Sequence, residues 1–259
     1  MIGTHGHGTM SNPFVSVIIP VLRDSELLTA LLAELTAIDQ SNDQVEIVVA
    51  NGDSADSSLD PVRRAHSEIR WLDCLPGRSA QMNTGARMAT GRWLLFLHAD
   101  TKLGHRWRDE IARAAAVDAV GGCYRLEIDS PCWSARVIEL GVRWRVRCLG
   151  VAYGDQGLFI RRDLFQALGG YRSIPLMEDA DLVRRMRSSG RFWRANVCVR
   201  VSARRWQRDG WWRRTLANIW ILLLYLSGRP PEQLAAFFPA WGQVEETGDR
   251  SRWRSPTRL

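Results

Sequence analysis

Two periods of apolar residues run through this chain. Residues 14–20 are a β-branched run, Phe14-Val15-Ser16-Val17-Ile18-Ile19, closed by Pro20, which is the composition of a strand. Behind a cap at Asp24 or Ser25, the residues Leu27, Leu28, Leu31, Leu32, Leu35 and Ile38 fall on one helical stripe. Residues 45–50 repeat the strand signal and break into the polar turn Asn51-Gly52-Asp53-Ser54-Ala55-Asp56, which leads to a helix through Arg63 and Arg64. Residues 69–74 read as a third strand. Pro76-Gly77-Arg78-Ser79 then opens a helix with Met82, Ala86 and Ala89 on one side. The most apolar short run is Trp93-Leu94-Leu95-Phe96-Leu97, bounded by Gly91 and Gly104 and ending in His98-Ala99-Asp100. It is apolar on both faces, as a buried strand of a parallel sheet must be. Strands alternating with helices predict a parallel sheet with right-handed crossovers.

Past Asp100 the pattern predicts a helix over residues 105–116, a strand over 120–128 and an Arg-rich helix over 134–149. Tyr153-Gly154-Asp155-Gln156-Gly157 then introduces a short strand, 158–161, and Gly169-Gly170-Tyr171 ends the helix that follows. Pro175-Leu176-Met177-Glu178-Asp179 leads into a helix with Leu182, Val183 and Met186 inward, its acidic pair in the first turn where the dipole favours negative charge. From residue 204 the composition changes. Arg204, Arg205, Arg208, Arg213 and Arg214 interleave with Trp206, Trp211 and Trp212, ahead of an apolar run over 216–226. That run is about half of the ~20 residues that span a bilayer. It reads either as a helix lying in a membrane interface or as one packed on the sheet with a solvated basic flank. After Pro230-Pro231 a short helix carries Leu234, Phe237 and Phe238; residues 1–12 and 243–259 are expected to be disordered.

The 259 residues are 46% hydrophobic, enough for one large α/β domain, and the formal charge of +7 is carried far more by Arg than by Lys. Such a balance suits phosphates, acidic sugars or a membrane surface. Cys74, Cys123, Cys132, Cys148 and Cys198 are scattered and odd in number, without a CxxC spacing. They predict neither a zinc site nor a disulfide framework, and a cytoplasmic setting follows. The Gly- and His-rich first ten residues hold no apolar signal core.

Chemistry concentrates at Asp100. In open α/β sheets ligands bind beyond the carboxyl ends of the strands, so this carboxylate is presented to a site mouth and is placed to hold a divalent metal. Taken alone, Ala99-Asp100-Thr101 would merely cap a helix starting near Gly104. The Arg/Trp stretch allows a different class of protein, a basic non-enzymatic binder of nucleic acid, though no nucleic-acid motif accompanies it.

The ordered set of motifs resembles glycosyltransferase family 2 on a GT-A fold, over residues 15–206. Residues 15–20 look like that family's opening strand and residues 46–56 like its second strand and nucleotide loop. Leu97-His98-Ala99-Asp100 occupies the DxD place, and Met177-Glu178-Asp179 that of the acidic pair supplying the catalytic base. Within the family, Gly77-Arg78 with Gln81-Met82-Asn83, Tyr153-Gly154-Asp155-Gln156-Gly157 and Arg204-Arg205-Trp206 resemble the radical-SAM/selenodomain-associated transferase 2 branch, linked to arsenosugar synthesis.

The resemblance implies an α/β fold, a Rossmann-like, mostly parallel sheet flanked by helices with a C-terminal helical extension. It divides residues 13–206 into a nucleotide half (13–101) and an acceptor half (102–206), with amphipathic helices over 207–241. It implies an inverting, metal-assisted transfer of a sugar from a nucleoside diphosphate to a hydroxyl, with Asp179 as the base and Glu178 beside it. Pro20, Asn51, Asp53, Arg78, Asn83, His98 and Asp100 would bind the nucleotide sugar. Asp155, Gln156, Arg205 and Trp206 would bind the acceptor, and Asp100 would hold Mg²⁺ or Mn²⁺.

The acceptor is expected to be a small molecule or lipid-linked. An anionic membrane surface is a further candidate partner, which places the protein peripherally on the inner face; nucleic acid is not expected. Three departures from the family pattern matter. Asn51 stands where the family has an acid, His98 replaces the first Asp of DxD, and Ser202 replaces the Gln of the QxxRW element in Ser202-Ala203-Arg204-Arg205-Trp206, which suits single transfers. A nucleotidyltransferase ranks lower, because Pro20-Val21-Leu22-Arg23-Asp24 lacks its Gly-rich loop.

Overall fold

The computed structural model describes residues 12–38 and 44–236. The expected disorder of residues 1–11 and 243–259, and the placement of Phe237 and Phe238, lie outside the described residues.

The chain runs β1 (Val15–Val21), α1 (Ser25–Ile38), β2 (Val45–Asn51), α2 (Asp60–Ala65), β3 (Arg70–Asp73), α3 (Arg78–Met88) and β4 (Trp93–Phe96). Then follow β5 (Thr101–Leu103), α4 (Trp107–Ala116), β6 (Gly121–Asp129), α5 (Trp133–Trp144), β7 (Leu158–Arg161), α6 (Arg162–Ala167) and α7 (Glu178–Ser189). The chain continues with β8 (Phe192–Ser202), α8 (Arg204–Asp209), α9 (Trp211–Leu226) and α10 (Pro231–Ala236). All eight strands form one sheet in the order β3-β2-β1-β4-β7-β6-β8-β5.

The amino-terminal half matches the apolar pattern closely. β1, β2, β3 and β4 pair in parallel, and every residue of β4 is buried. Leu28, Leu31, Leu32 and Leu35 of α1 are at most 2% exposed in the core beneath. Gln81, which the apolar pattern passes over, ties the carboxyl ends of β1 and β2 together: its buried Nε2 donates to Val21 O at 2.7 Å and Ala50 O at 2.9 Å.

The sheet is mostly parallel, as expected; in the second half β7 runs antiparallel between β4 and β6, and β5 runs antiparallel to β8. Thr101 does not cap a helix: residues 101–103 pair with residues 199–201 of β8, and the helix starts only at Trp107. β8 itself was hidden because Phe192, Arg194, Arg200 and their neighbours mix charged and apolar residues. It is held by parallel pairing to β6 from Gly121 to Asp129. The consequence is functional, since β5 carries the segment after Asp100 across to the end of β8 and the start of α8.

The amino ends of β1 and β4 are locked by close backbone approach. Gly91 donates its N–H to Ser16 Oγ at 2.8 Å, and a Cβ on Gly91 would lie 2.6 Å from Ser16 N and 2.8 Å from Val15 C. Because the obstructing atoms are backbone, Gly91→Ala should destabilise the fold by roughly 1–3 kcal/mol, as overpacking does. A lowered urea midpoint with an unchanged slope is the expected result, and an unaltered midpoint would show that the strand ends have slack.

Candidate active site

The carboxyl end of β4 opens into a cleft of about 180 Å³ lined by residues from both halves, among them Arg78, His98, Asp100, Asp155, Glu178, Asp179, Arg205 and Trp206. Each is delivered by a defined element. Leu97 N–H continues the pairing of β4 with a bond to Ile18 O at 3.0 Å, so His98 and Asp100 leave the sheet from a rigid support. Arg78 is the first residue of α3 and reaches Glu178, 3.7 Å away. The β5–β8 pairing sets Asp100 beside α8, where Arg204 lies 3.4 Å and Arg205 3.8 Å from its Oδ2.

Glu178 and Asp179 begin α7 behind Met177, which takes the left-handed conformation at φ 67°. For a buried non-glycine residue this is strained backbone, of the kind that gathers at functional sites. The helix start is anchored by Asp181, 3% exposed. Arg185 Nε donates to Asp181 Oδ2 at 2.8 Å, and Arg172 and Arg184 also pair with this carboxylate. Arg185 in turn donates to Leu168 O and Gly170 O, which fixes the turn before α7.

Asp179 Oδ2 accepts the Gly154 N–H at 2.8 Å, while its Oδ1 is buried without a hydrogen-bond partner. Only glycine fits at 154: a Cβ there would lie 2.6 Å from Asp179 Oδ2 and 2.8 Å from His98 Nε2. The loop that carries Gly154 is ordered by Arg145, whose guanidinium stacks 3.8 Å from the Tyr153 ring centroid and bonds Gln156 Oε1 at 2.9 Å.

The electrostatics separate these acids. Burial first, then the Glu178 carboxylate, push Asp179 up to about 7 against the pull of Arg78 and the Gly154 N–H. Burial works to raise Asp100 too, but Arg205, Arg204 and Arg78 together hold it below the ordinary carboxylate range. Burial and Arg78 depress His98 to about 3, so its imidazole is neutral near pH 7. Burial raises Asp155, whose Oδ1 is buried without a partner.

Several expected ligand contacts are occupied by structural work instead. Gln156 is 2% exposed. Its amide donates to Tyr124 O at 3.2 Å and accepts from Arg145, so it braces the loop and does not face the cleft. Both ends of the Asn83 amide engage the Tyr171 backbone, at 2.8 and 2.9 Å. Asn51 is likewise buried; it donates to Asp53 O and Asp73 Oδ1 and accepts the Asp53 N–H, shaping the turn at the end of β2. Pro20 sits at the matching end of β1, and Asp53 is paired with Arg23 at 2.7 Å.

The composition-led reading of the C-terminal stretch missed three cleft residues. Arg214, Asn218 and Ile221 of α9 also line the wall, and the polar break that Asn218 makes in an apolar helix was their signal. No cluster of three or more His, Cys, Asp or Glu side chains able to hold a metal occurs among the described residues.

A parallel amino-terminal half, joined through one sheet to a mixed second half with a cleft that both halves line, is the arrangement of the GT-A fold. The fold is shared with solved structures. A mannosyltransferase, PcManGT from Pyrobaculum calidifontis in complex with GDP-Man and Mn²⁺, superposes with a TM-score of 0.61 at 20% identity, over 91% of this chain and 72% of that one. S. aureus TarS 1–349 in complex with UDP-GlcNAc gives 0.57 at 15% identity, over 73% and 58%.

Residues 16–136 match the family model Glycosyl transferase family 2. A PGL/p-HBAD biosynthesis glycosyltransferase of Mycobacterium bovis is 31% identical over 175 residues, 62% of this chain and 64% of the relative's length. The probable glycosyltransferase YdaM of Bacillus subtilis is 24% identical, over 83% of this chain and 57% of its own.

The buried Asp179 carboxyl has a stability signature. An Asp with an ordinary value of 3.8 that stands at about 7 in the fold contributes stability at low pH that is lost as pH rises through about 7. Asp179→Asn removes the ionisation and keeps the shape. It should therefore raise the melting temperature by several degrees at pH 8 and clearly less at pH 5, whereas an equal gain at both would mean that Asp179 does not titrate in this range.

Proposed function

We propose that this protein is an inverting glycosyltransferase that moves a sugar from a nucleoside diphosphate to an acceptor hydroxyl, with Asp179 as general base. The observation that carries this reading is the pairing, in one cleft, of a buried carboxylate held near neutrality with an ionised one, Asp100, ringed by arginines. A base works best when its pKa lies near the working pH. Asp179 takes the acceptor proton as the hydroxyl oxygen attacks the anomeric carbon from the face opposite the diphosphate, which departs with the bonding electron pair. Arg78 and Arg205 neutralise the charge that develops on it. Glu178 binds Arg78 and raises its neighbour.

At about 180 Å³ the cleft is smaller than the ~300–1,000 Å³ of whole small-molecule sites. This supports placing only the sugar, its diphosphate and the acceptor hydroxyl there. The nucleoside lies outward along the ends of β1 and β2, beside Pro20, the Asn51 turn and Asp53. Of the acceptor-side candidates Trp206 remains, while Asp155 and Arg205 group with Asp100 on the diphosphate side.

Asp100 and the partnerless Oδ1 of Asp155 fit a divalent ion of the Mg²⁺ or Mn²⁺ type, which takes one or two carboxylates and completes its shell with phosphate and water. Such an ion, when bound, supplies charge neutralisation at the diphosphate. No helix among the described residues is long and apolar enough to cross a membrane. The exposed Trp212, Leu216 and Trp220 of α9 support a membrane surface as a partner.

Turnover tests the assignment of the base. Asp179→Asn should lose about 10² to 10⁴ in donor hydrolysis or transfer while nucleoside-diphosphate affinity is kept. Glu178→Gln should be milder. The wild-type rate should fall on the acid side of about pH 7, the value at which Asp179 takes up its proton. A dead Glu178→Gln beside a near-normal Asp179→Asn would reverse the two roles.

A further inference from the structure

Among the described residues, the largest exposed apolar surface lies outside the cleft, on two helices. On α5, Trp133, Val137, Leu140 and Trp144 are 65%, 43%, 56% and 59% exposed. They are spaced by four, three and four residues and so make one helical stripe. On α9, Trp212, Leu216, Ile219, Trp220, Leu223 and Leu226 form a second exposed stripe. The stripes join at both ends. The rings of Trp133 and Trp212 touch, with centroids 5.6 Å apart. A turn of π-helix, Arg145–Leu149, extends α5, and its exposed Leu149 lines the same depression as Leu226. Each arm is about 25 Å long at 1.5 Å per residue. A face this large and continuous marks an interaction surface.

Charge selects the occupant. α9 contains no acidic residue. The one acid of α5, Glu139, is 6% exposed and is bound to the Ile128 N–H and Arg136. The exposed basic side chains on these helices include Arg136, Arg143, Arg147 and Arg213. Tryptophans beside arginines on an apolar face without exposed acids match the headgroup level of an anionic bilayer. A self-complementary protein contact would require acids to meet these arginines.

We propose that α5 and α9 together form a docking face for an anionic lipid surface, into which both stripes sink shallowly. α9 also contributes Arg214, Asn218 and Ile221 to the cleft wall. Docking therefore brings the mouth of the cleft beside the headgroups. The inference deepens the membrane partner proposed above and stands apart from the transfer chemistry, so that each is tested by its own measurement.

The test is flotation of the whole chain with vesicles of phosphatidylglycerol and of phosphatidylcholine, across salt concentration. The protein should float with phosphatidylglycerol at low salt, be released at high salt, and bind phosphatidylcholine weakly. Trp133→Ser with Leu140→Gln and Trp144→Ser should weaken binding at least about tenfold, because α5 supplies half the face. Arg143→Glu with Arg147→Glu should do so too, by removing surface charge attraction. Unchanged melting temperatures and unchanged thermal shifts with UDP and GDP show that the variants are folded, and report the donor site separately. Flotation with neither lipid, equal flotation with both, or full binding by the α5 variants would overturn the proposal. So would a dimer in solution that the same substitutions convert to a monomer, since a second copy would then cover the face.

Discussion

Four carboxylates, Asp100, Asp155, Glu178 and Asp179, share one cleft, and water is too scarce there for all of them to carry charge cheaply. The arginines settle which does. Arg204 and Arg205 both approach Asp100, which stays ionised. Asp179 faces Glu178 and Asp155 with a single N–H bond from Gly154 and the field of Arg78, and rises to about 7. Environments that push like groups apart are how one site obtains an electrostatic stabiliser and a base from the same residue type.

That separation depends on placement to within an ångström or so, and the chain secures it with rigid supports. Asp181 and Arg185 form the buried centre of an ion cluster whose outer members, Arg172 and Arg184, are exposed. Such clusters add little net stability, because desolvation offsets attraction, yet breaking one is costly. Here the cluster clamps the start of α7 to the turn around Gly170. Arg145 does the same for the loop of Gly154 by stacking on Tyr153 and binding Gln156. The cleft acids are thus held by structural residues that never enter the cleft.

The parts legible in the sequence were those in which one residue's burial decides its element. β1, α1, β2 and β4 declare themselves through uninterrupted or periodic apolar runs, and the acidic pair through its place before Leu182, Val183 and Met186. What could not be read was pairing across distance. β5 has three residues and becomes a strand only because β8 lies beside it, and β8 mixes charge with apolar residues because its edges are unevenly covered. The amides of Asn51, Asn83 and Gln156 looked available for ligands because a side chain's partner is invisible along the chain. Each is spent on a backbone group between 2 and 88 residues away.

The C-terminal helix had two competing descriptions, packed on the domain or lying in an interface, and the structure makes them compatible. Ile221 and Leu222 of α9 are buried against Val151, Met177 and Ala180, residues that flank the acidic pair at the start of α7. Three positions on the same helix line the cleft, and a third face, from Trp212 to Leu226, remains in solvent. Arg214 is tied to the nearly buried Asp209, and Trp211 stacks on Trp206, so α9 is fastened to the cleft at its first turn. The inner face of α9 thus packs on Met177, the strained residue that precedes Glu178 and Asp179, while its outer face stays in solvent.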